Sequence, residues 1–269
     1  MKIVIQKILA AGSIALLILL GGCCHILDDC DDNDGRYTAQ ENFDFTIDLE
    51  NQTGLAFAGV NGVVTVTGWD DTAHARVQGT RIVRSHSEAD AWTHLKDLQV
   101  VITEGEKDLN VATSQPAQSN GREYTINYVV SIPKSWSIAL SHVNGNVRIA
   151  HIRNTIDMTL TNGETILDNH RGGLDIIITN GSFTGQSELP ADGAWTVMLA
   201  NGSIDLVMPQ STSAEFSAAV TNGSVEVNGL ALRNRTQTSK FVTGVLGGGA
   251  GKIALAITNG QIEVNGIED

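Results

Sequence analysis

Apolar and polar residues alternate with period two over most of the chain after residue 42, the pattern of strands with one face in a core. Phe43–Leu49, Leu55–Thr67, Ala75–Val83, Leu98–Thr103, Leu109–Thr113 and Tyr124–Ile132 each read as a strand, the last ended by Pro133. Gln115–Arg122 is polar and reads as a loop. One segment changes period: Ala91, Trp92, Leu95 and Leu98 fall at helical spacing behind Ser87-Glu-Ala-Asp90. That tetrad has the form of a capping box with Asp for the usual Glu, so a short helix is expected there with Trp92 in the core.

From Leu140 the alternation is organised around a repeated Asn-Gly pair. Seven pairs occur, at Asn61, Asn144, Asn162, Asn180, Asn201, Asn222 and Asn259. Successive spacings from Asn144 are 18, 18, 21, 21 and 37 residues, the last about two periods. Two before each Asn stand Leu160, Ile178, Leu199, Val220 and Ile257, with His142 the exception. Three and five after it stand mostly apolar residues, such as Ile204 with Leu206 and Val225 with Val227; Thr165 with Leu167 fits less well.

Two architectures satisfy this pattern. In an antiparallel hairpin meander each Asn-Gly is a type I′ turn. In a β-solenoid each Asn-Gly is a corner, and coils of about 20 residues stack in parallel about 4.8 Å apart. The constant place of Asn favours the solenoid, an all-β fold with a short helix-containing N-terminal portion. Asn144, Asn162, Asn180, Asn201, Asn222 and Asn259 would then form a hydrogen-bonded ladder, with Gly supplying the corner conformation. The wide gap between Asn222 and Asn259 would hold a coil lacking the motif, plus the glycine-rich insertion Gly244–Gly251.

The N-terminus carries a different signal. Lys2 and Lys7 precede an apolar run from Ile8 to Leu20, too short for a spanning helix and shaped like a secretory signal. It ends Leu20-Gly21-Gly22-Cys23, which resembles the lipobox of bacterial lipoproteins. That resemblance implies diacylation of Cys23, loss of residues 1–22, and, since Cys24 rather than Asp follows, an outer-membrane destination. Cys24 and Cys30 then remain to form a local disulfide, to pair between chains or to stay free. Residues 23–42 form an acidic tether and 43–269 the repeat domain. Within the tether Cys30–Glu41 has an EF-hand's Gly and Glu spacing but begins with Cys, so it reads as solvated chain.

Charge narrows the partners. The chain has 17 Lys and Arg against 30 Asp and Glu, a formal charge of −13, and losing the two leading lysines takes it to −15. Such a chain does not bind nucleic acid through its phosphates and is repelled by anionic lipid. It favours cationic partners or metal ions.

The chain is similar to the bacterial putative-adhesin family, a β-rich domain of unknown function. The residues that carry the similarity are Gly54–Gly68, Tyr124–Pro133, Ser141-His-Val-Asn-Gly-Asn-Val147, the Thr-Asn-Gly units, and Gly247 to Ile262. They cover roughly Phe43–Ile267 and are structural repeats, which speak for fold more than activity.

Catalytic signatures fail on spacing. Gly244–Lys252 lacks the phosphate-loop intervals, Ser182, Ser203 and Ser224 are turn residues, and no two His share the zinc-protease motif. A metal site from His142, His151 and His170 would need neighbouring coils to converge. Trp69 at a strand end would serve as an end cap or a sugar-stacking surface. The strongest candidate is acidic: Asp205, Glu226 and Glu263, each four after Asn, would point outward on one face, with Asp205 and Glu226 one coil apart. A pair about 5 Å apart would suit a retaining glycosidase or a divalent cation, whereas a charged stripe also discourages aggregation. The expectation is a non-enzymatic, cofactor-free, lipid-anchored outer-membrane protein, periplasmic or surface-facing. It would bind an envelope protein or glycan, act as a scaffold or serve in adhesion. The alternatives are a carbohydrate-active enzyme and an envelope-stress sensor of cationic compounds.

Overall fold

The computed structural model describes residues 36–268, so the signal segment, Cys23, Cys24 and Cys30 lie outside the described residues. In chain order the elements are β1 (Tyr37–Asp48), β2 (Gly54–Asn61), β3 (Val64–Trp69), β4 (His74–Ser85), α1 (Glu88–Leu95), β5 (Gln99–Glu104), β6 (Asp108–Ser114) and β7 (Glu123–Pro133). The repeat region follows with β8 (Ser137–Asn144), β9 (Val147–Ala150), β10 (Ile156–Arg171), β11 (Leu174–Glu188), β12 (Ala194–Pro209), β13 (Ala214–Asn228), β14 (Leu232–Gln237), β15 (Phe241–Leu246) and β16 (Gly251–Ile267). The first strand begins at Tyr37, inside the segment assigned above to the tether.

In the long strands Asn-Gly sits mid-strand, and the residue arithmetic says why. Leu160 and Thr165, two before and three after Asn162, are both buried. They are five residues apart, an odd interval, so strict alternation would send them to opposite sides. The chain therefore turns at Asn-Gly, and both halves of each strand face one core from two sides. We call these two sides of the sheet the leading face, before Asn, and the trailing face, after it.

The rungs pair in parallel with Asn over Asn. Asn61 registers with Asn144, then Asn162, Asn180, Asn201, Asn259 and Asn222. The pairs are thus not hairpin turns. Antiparallel pairing is confined to the ends, where β1, β4 and β7 join in sequence, β5 pairs β6, and β13, β15 and β14 join in sequence. The sheet stays open.

Two expectations about the C-terminal rungs are corrected. The gap after Asn222 holds no motif-less coil: it holds β14 and β15, which pair antiparallel at the end of the stack. The last strand, β16, then returns and inserts between β12 and β13. Equal 21-residue spacing concealed this, because a rung's length does not say which neighbour it pairs with.

Each corner glycine has positive φ, from +122° at Gly62 to +150° at Gly181. The close stacking adds a second demand: a Cβ on Gly202 would lie 1.5 Å from the Gly181 carbonyl oxygen. The core exceptions in the repeat have local causes. Gly185 is small because the Phe183 ring lies over it, 2.8 Å from where a Cβ would be. His142 fits in an apolar row because its registered neighbour is Gly59, whose Cβ would meet the ring at 2.4 Å.

Helix α1 starts as the sequence implies, with Ser87 Oγ accepting from the Asp90 amide at 3.2 Å. The Asp90 carboxylate does not close the capping box. It takes Arg122 Nε at 2.6 Å and Nη2 at 2.7 Å, together with the Ser85 hydroxyl. Those bonds, Arg122 first, hold its carboxyl well below the ordinary range. Ala91 and Leu95 face the core, but Trp92 is 53% exposed, which overturns its expected place in the core. Helical spacing marked a stripe wider than the face that β1 and β4 cover.

Candidate binding faces

The Asn-over-Asn register places the Asn side chains on one edge of the stack. Nδ2 of Asn222 donates to Oδ1 of Asn259, and the same bond runs through Asn201, Asn180, Asn162 and Asn144 to Asn61, at 2.8–2.9 Å throughout. Asn61, which the sequence reading left out, ends the run by donating to the Tyr124 carbonyl at 3.0 Å. From Asn144 onward these side chains are solvent-exposed. Water can therefore replace a lost partner, and each bond is worth about 0.5–1.5 kcal/mol. Asn180→Ala removes two ladder bonds and Asn222→Ala one. Urea denaturation should show the former costing about twice the latter; equal costs would mean the ladder adds nothing.

The acidic stripe exists on the trailing face, in an order the sequence did not show. Asp205 registers with Glu263, and Glu263 with Glu226. The insertion of β16 thus separates Asp205 from Glu226 by a full rung and puts Glu263 between them. Burial, then the Glu263 charge, raises the Asp205 carboxyl above its ordinary pKa. Glu263 Oε1 accepts from Asn265 Nδ2 at 2.9 Å, which occupies the middle carboxylate. The three carboxylates lie on an open sheet face, and neither cavity described below includes them.

A raised carboxyl pKa means the charged form is disfavoured in the fold, so Asp205 costs stability above its folded pKa and that cost disappears as pH falls through it. Asp205→Asn should therefore stabilise the protein at pH 7 by about 0.2–1 kcal/mol, the scale of a like-charge pair across adjacent strands. The gain should vanish below about pH 3.8, where wild type is also neutral. Thermal melts across pH test this, and a gain that persists in acid would remove charge as its cause.

The histidines do not converge. His142 is buried and its Nε2 faces the Gly62 carbonyl at 2.9 Å, so Nε2 carries the proton and Nδ1 is left buried without a partner. His151 Nδ1 meets Asn169 Nδ2 at 2.9 Å. His170 Nε2 meets the Asn154 carbonyl at 2.8 Å, and its Nδ1 takes the Ser187 hydroxyl at 2.7 Å. Burial lowers the pKa of His142 and His170, which keeps both neutral. Among the described residues no three His, Cys, Asp or Glu side chains are grouped to hold a metal ion. Trp69 is half-buried and its Nε1 is enclosed without a hydrogen-bond partner.

Among the described residues, two cavities bear on these faces. One, of about 330 Å³, lies where trailing strands end and is lined by Arg153, His170, Arg171, Ser187, Glu188 and Ile267. The other, of about 320 Å³, is a trough on the leading face floored by Ala56, Ala58, Ala112 and Ala139, with Ser141 and Asp157 at its side. The trough belongs to a longer feature that no local motif announced. One outward row crosses ten strands: Val101, Ala112, Ala58, Ser141 and Thr159, then Ile177, Met198, Ala256, Ala219 and Phe241. Eight of these ten residues are apolar. Ile177 and Met198, 49% and 47% exposed, stand up beside the alanine floor.

Parallel rungs stacked in register, with sidewall polar groups bonded to one another and two broad open faces, define a repeat β protein. Residues 137–265 of the chain match the Toastrack DUF4097 family. Among solved structures, a putative cell adhesion protein from Clostridium sporogenes is 10% identical, with 84% of this chain and 100% of that chain covered at a TM-score of 0.45. A putative adhesin from Bacteroides fragilis is 11% identical, with 84% and 97% covered at 0.31. A putative lipid binding protein from Parabacteroides distasonis is 11% identical, with 88% and 98% covered at 0.25. No curated protein matches the sequence.

Proposed function

We propose that the protein is a lipid-anchored component of the cell envelope whose β-solenoid is a non-catalytic binding or scaffold domain. The observation that carries this reading is the apolar row across the leading face, because contiguous exposed apolar surface on a soluble domain marks an interaction site. The catalytic alternative finds less support: its acidic candidates lie on an open face outside both cavities, and the middle carboxylate, Glu263, is engaged by Asn265. The anchor is Cys23, placed by the lipobox resemblance, and the acidic segment after it spaces the domain from anionic headgroups.

Protease shaving of intact cells, with a lysed control and a Cys23→Ala variant, tests the anchoring. The expected result is a membrane-associated domain that Cys23→Ala releases into the soluble envelope fraction. Cleavage in intact cells would put the domain on the surface, and protection until lysis would put it in the periplasm. Continued membrane association of Cys23→Ala would overturn the lipid anchor.

A further inference from the structure

We infer that the leading face is a self-association surface whose partner is a second copy of this chain, an inference that rests on the binding reading above. The argument is shape along one row. At one end the row is low, over the alanine-floored trough, and next to it Ile177 and Met198 form a ridge. A two-fold axis parallel to the strands and passing over Thr159 turns each copy's ridge onto the other's trough. Counting strands outward from Thr159 along the observed register, Met198 then lies over the partner's Ala58 and Ala256 over its Ala112. Ile177 lies over its Ser141, and Ala219 over its Val101. Ridge meets trough within two steps of the axis, Ile177 at its side and Met198 on its floor, twice by symmetry, as an isologous interface requires.

The area is adequate. Nine overlapping strands at about 4.8 Å spacing run about 38 Å, and the outward rows on either side make the face about 20 Å wide. That is on the order of 800 Å² per copy, the size of a standard stable interface. Sheets packed face to face at about 10 Å are an ordinary arrangement. Lipid anchoring would hold both copies on one membrane, where tethering supplies effective concentrations of about 1 mM.

The same geometry places a penalty at its centre. Asp157 registers with Ala139 in the adjacent row and lies on the strand that carries the axis, so it faces the partner's Asp157. With −13 on each chain, charge opposes this dimer. Two signs follow that separate a second copy from a cationic partner on the same surface. Salt should strengthen self-association by screening, whereas it would weaken binding to a cation. Asp157→Asn should tighten the dimer, whereas it would loosen a cationic partner.

Sedimentation velocity on the full chain with Cys23→Ala, over protein concentration and NaCl, is the experiment. The expected result is a reversible dimer that Asp157→Asn tightens at least about fivefold and Met198→Lys weakens at least about tenfold, a tenfold change being about 1.4 kcal/mol. Both positions are on the exposed face, and melting curves would show both variants folded. A chain that stays monomeric up to about 1 mM overturns the inference, as does loosening by Asp157→Asn. Maleimide labelling of Met198→Cys separates the two readings. Protection in cells combined with a monomeric purified chain would refute the second copy and leave the binding surface standing. Equal labelling in cells and in the purified monomer would refute both.

Discussion

Gly202→Ala is expected to lower the unfolding free energy by at least about 3 kcal/mol, and to do so although the residue is on the surface side of the stack. Two independent costs meet at this atom. The backbone sits at φ +137°, a conformation that side chains bearing a Cβ rarely adopt. The added methyl would also fall 1.5 Å from the Gly181 carbonyl oxygen, which is backbone and cannot swing away. Relief requires the rungs to part, and that breaks the parallel ladder between β11 and β12. Ser203→Ala, one residue on, keeps a normal backbone and should stay within about 0.5 kcal/mol of wild type. Guanidinium denaturation of the pair decides it: a loss under about 1 kcal/mol for Gly202→Ala would mean that the corner is far more pliable than its stacking implies.

Trp195→Ala should cost a similar amount, about 3–5 kcal/mol, by a different route. Its ring is fully buried at the start of β12, between Leu174 on one registered neighbour and Ile253 on the other. Truncation leaves a cavity that parallel rungs cannot close, because each is hydrogen-bonded on both sides. The indole Nε1 also donates to the Gly172 carbonyl at 2.8 Å. Trp195→Phe separates the two contributions: it retains most of the packing and orphans that carbonyl, for a loss of about 1–3 kcal/mol. If Phe proves as costly as Ala, the hydrogen bond outweighs the packing; if Phe costs nothing, the carbonyl has found another donor.

The physical content of these predictions was unevenly readable from sequence. The inward residues of β10 to β13 follow from period two on each side of Asn-Gly, since burial of alternate residues is a property of one strand at a time. The glycines follow too, because a repeated positive-φ turn needs them. Trp92 failed because helical periodicity marks a candidate face without saying whether anything packs on it. Asp90 failed for a related reason: the capping box is a local pattern, and Arg122, 32 residues away, competes for the carboxylate with a charge-assisted bond. His142 read as a misfit until its neighbour across the rungs proved to be Gly59.

The sequence by itself determined the repeat, a turn of the chain at each Asn-Gly, which side of each half-strand is buried and the acidity of the whole. All of these are written within about one rung of chain, where steric and hydrophobic preferences act locally. Tertiary structure alone decided that β16 enters between β12 and β13, and hence that Glu263 separates Asp205 from Glu226. It alone assembled Val101, Ala58, Ile177 and Met198 into one row, and ended the ladder on the Tyr124 carbonyl. Parallel neighbours need not be sequence neighbours, and every rung presents nearly the same edge of hydrogen-bonding groups. Which rungs meet is settled by the packing of the whole core and by the capping hairpin, and no single repeat encodes that choice.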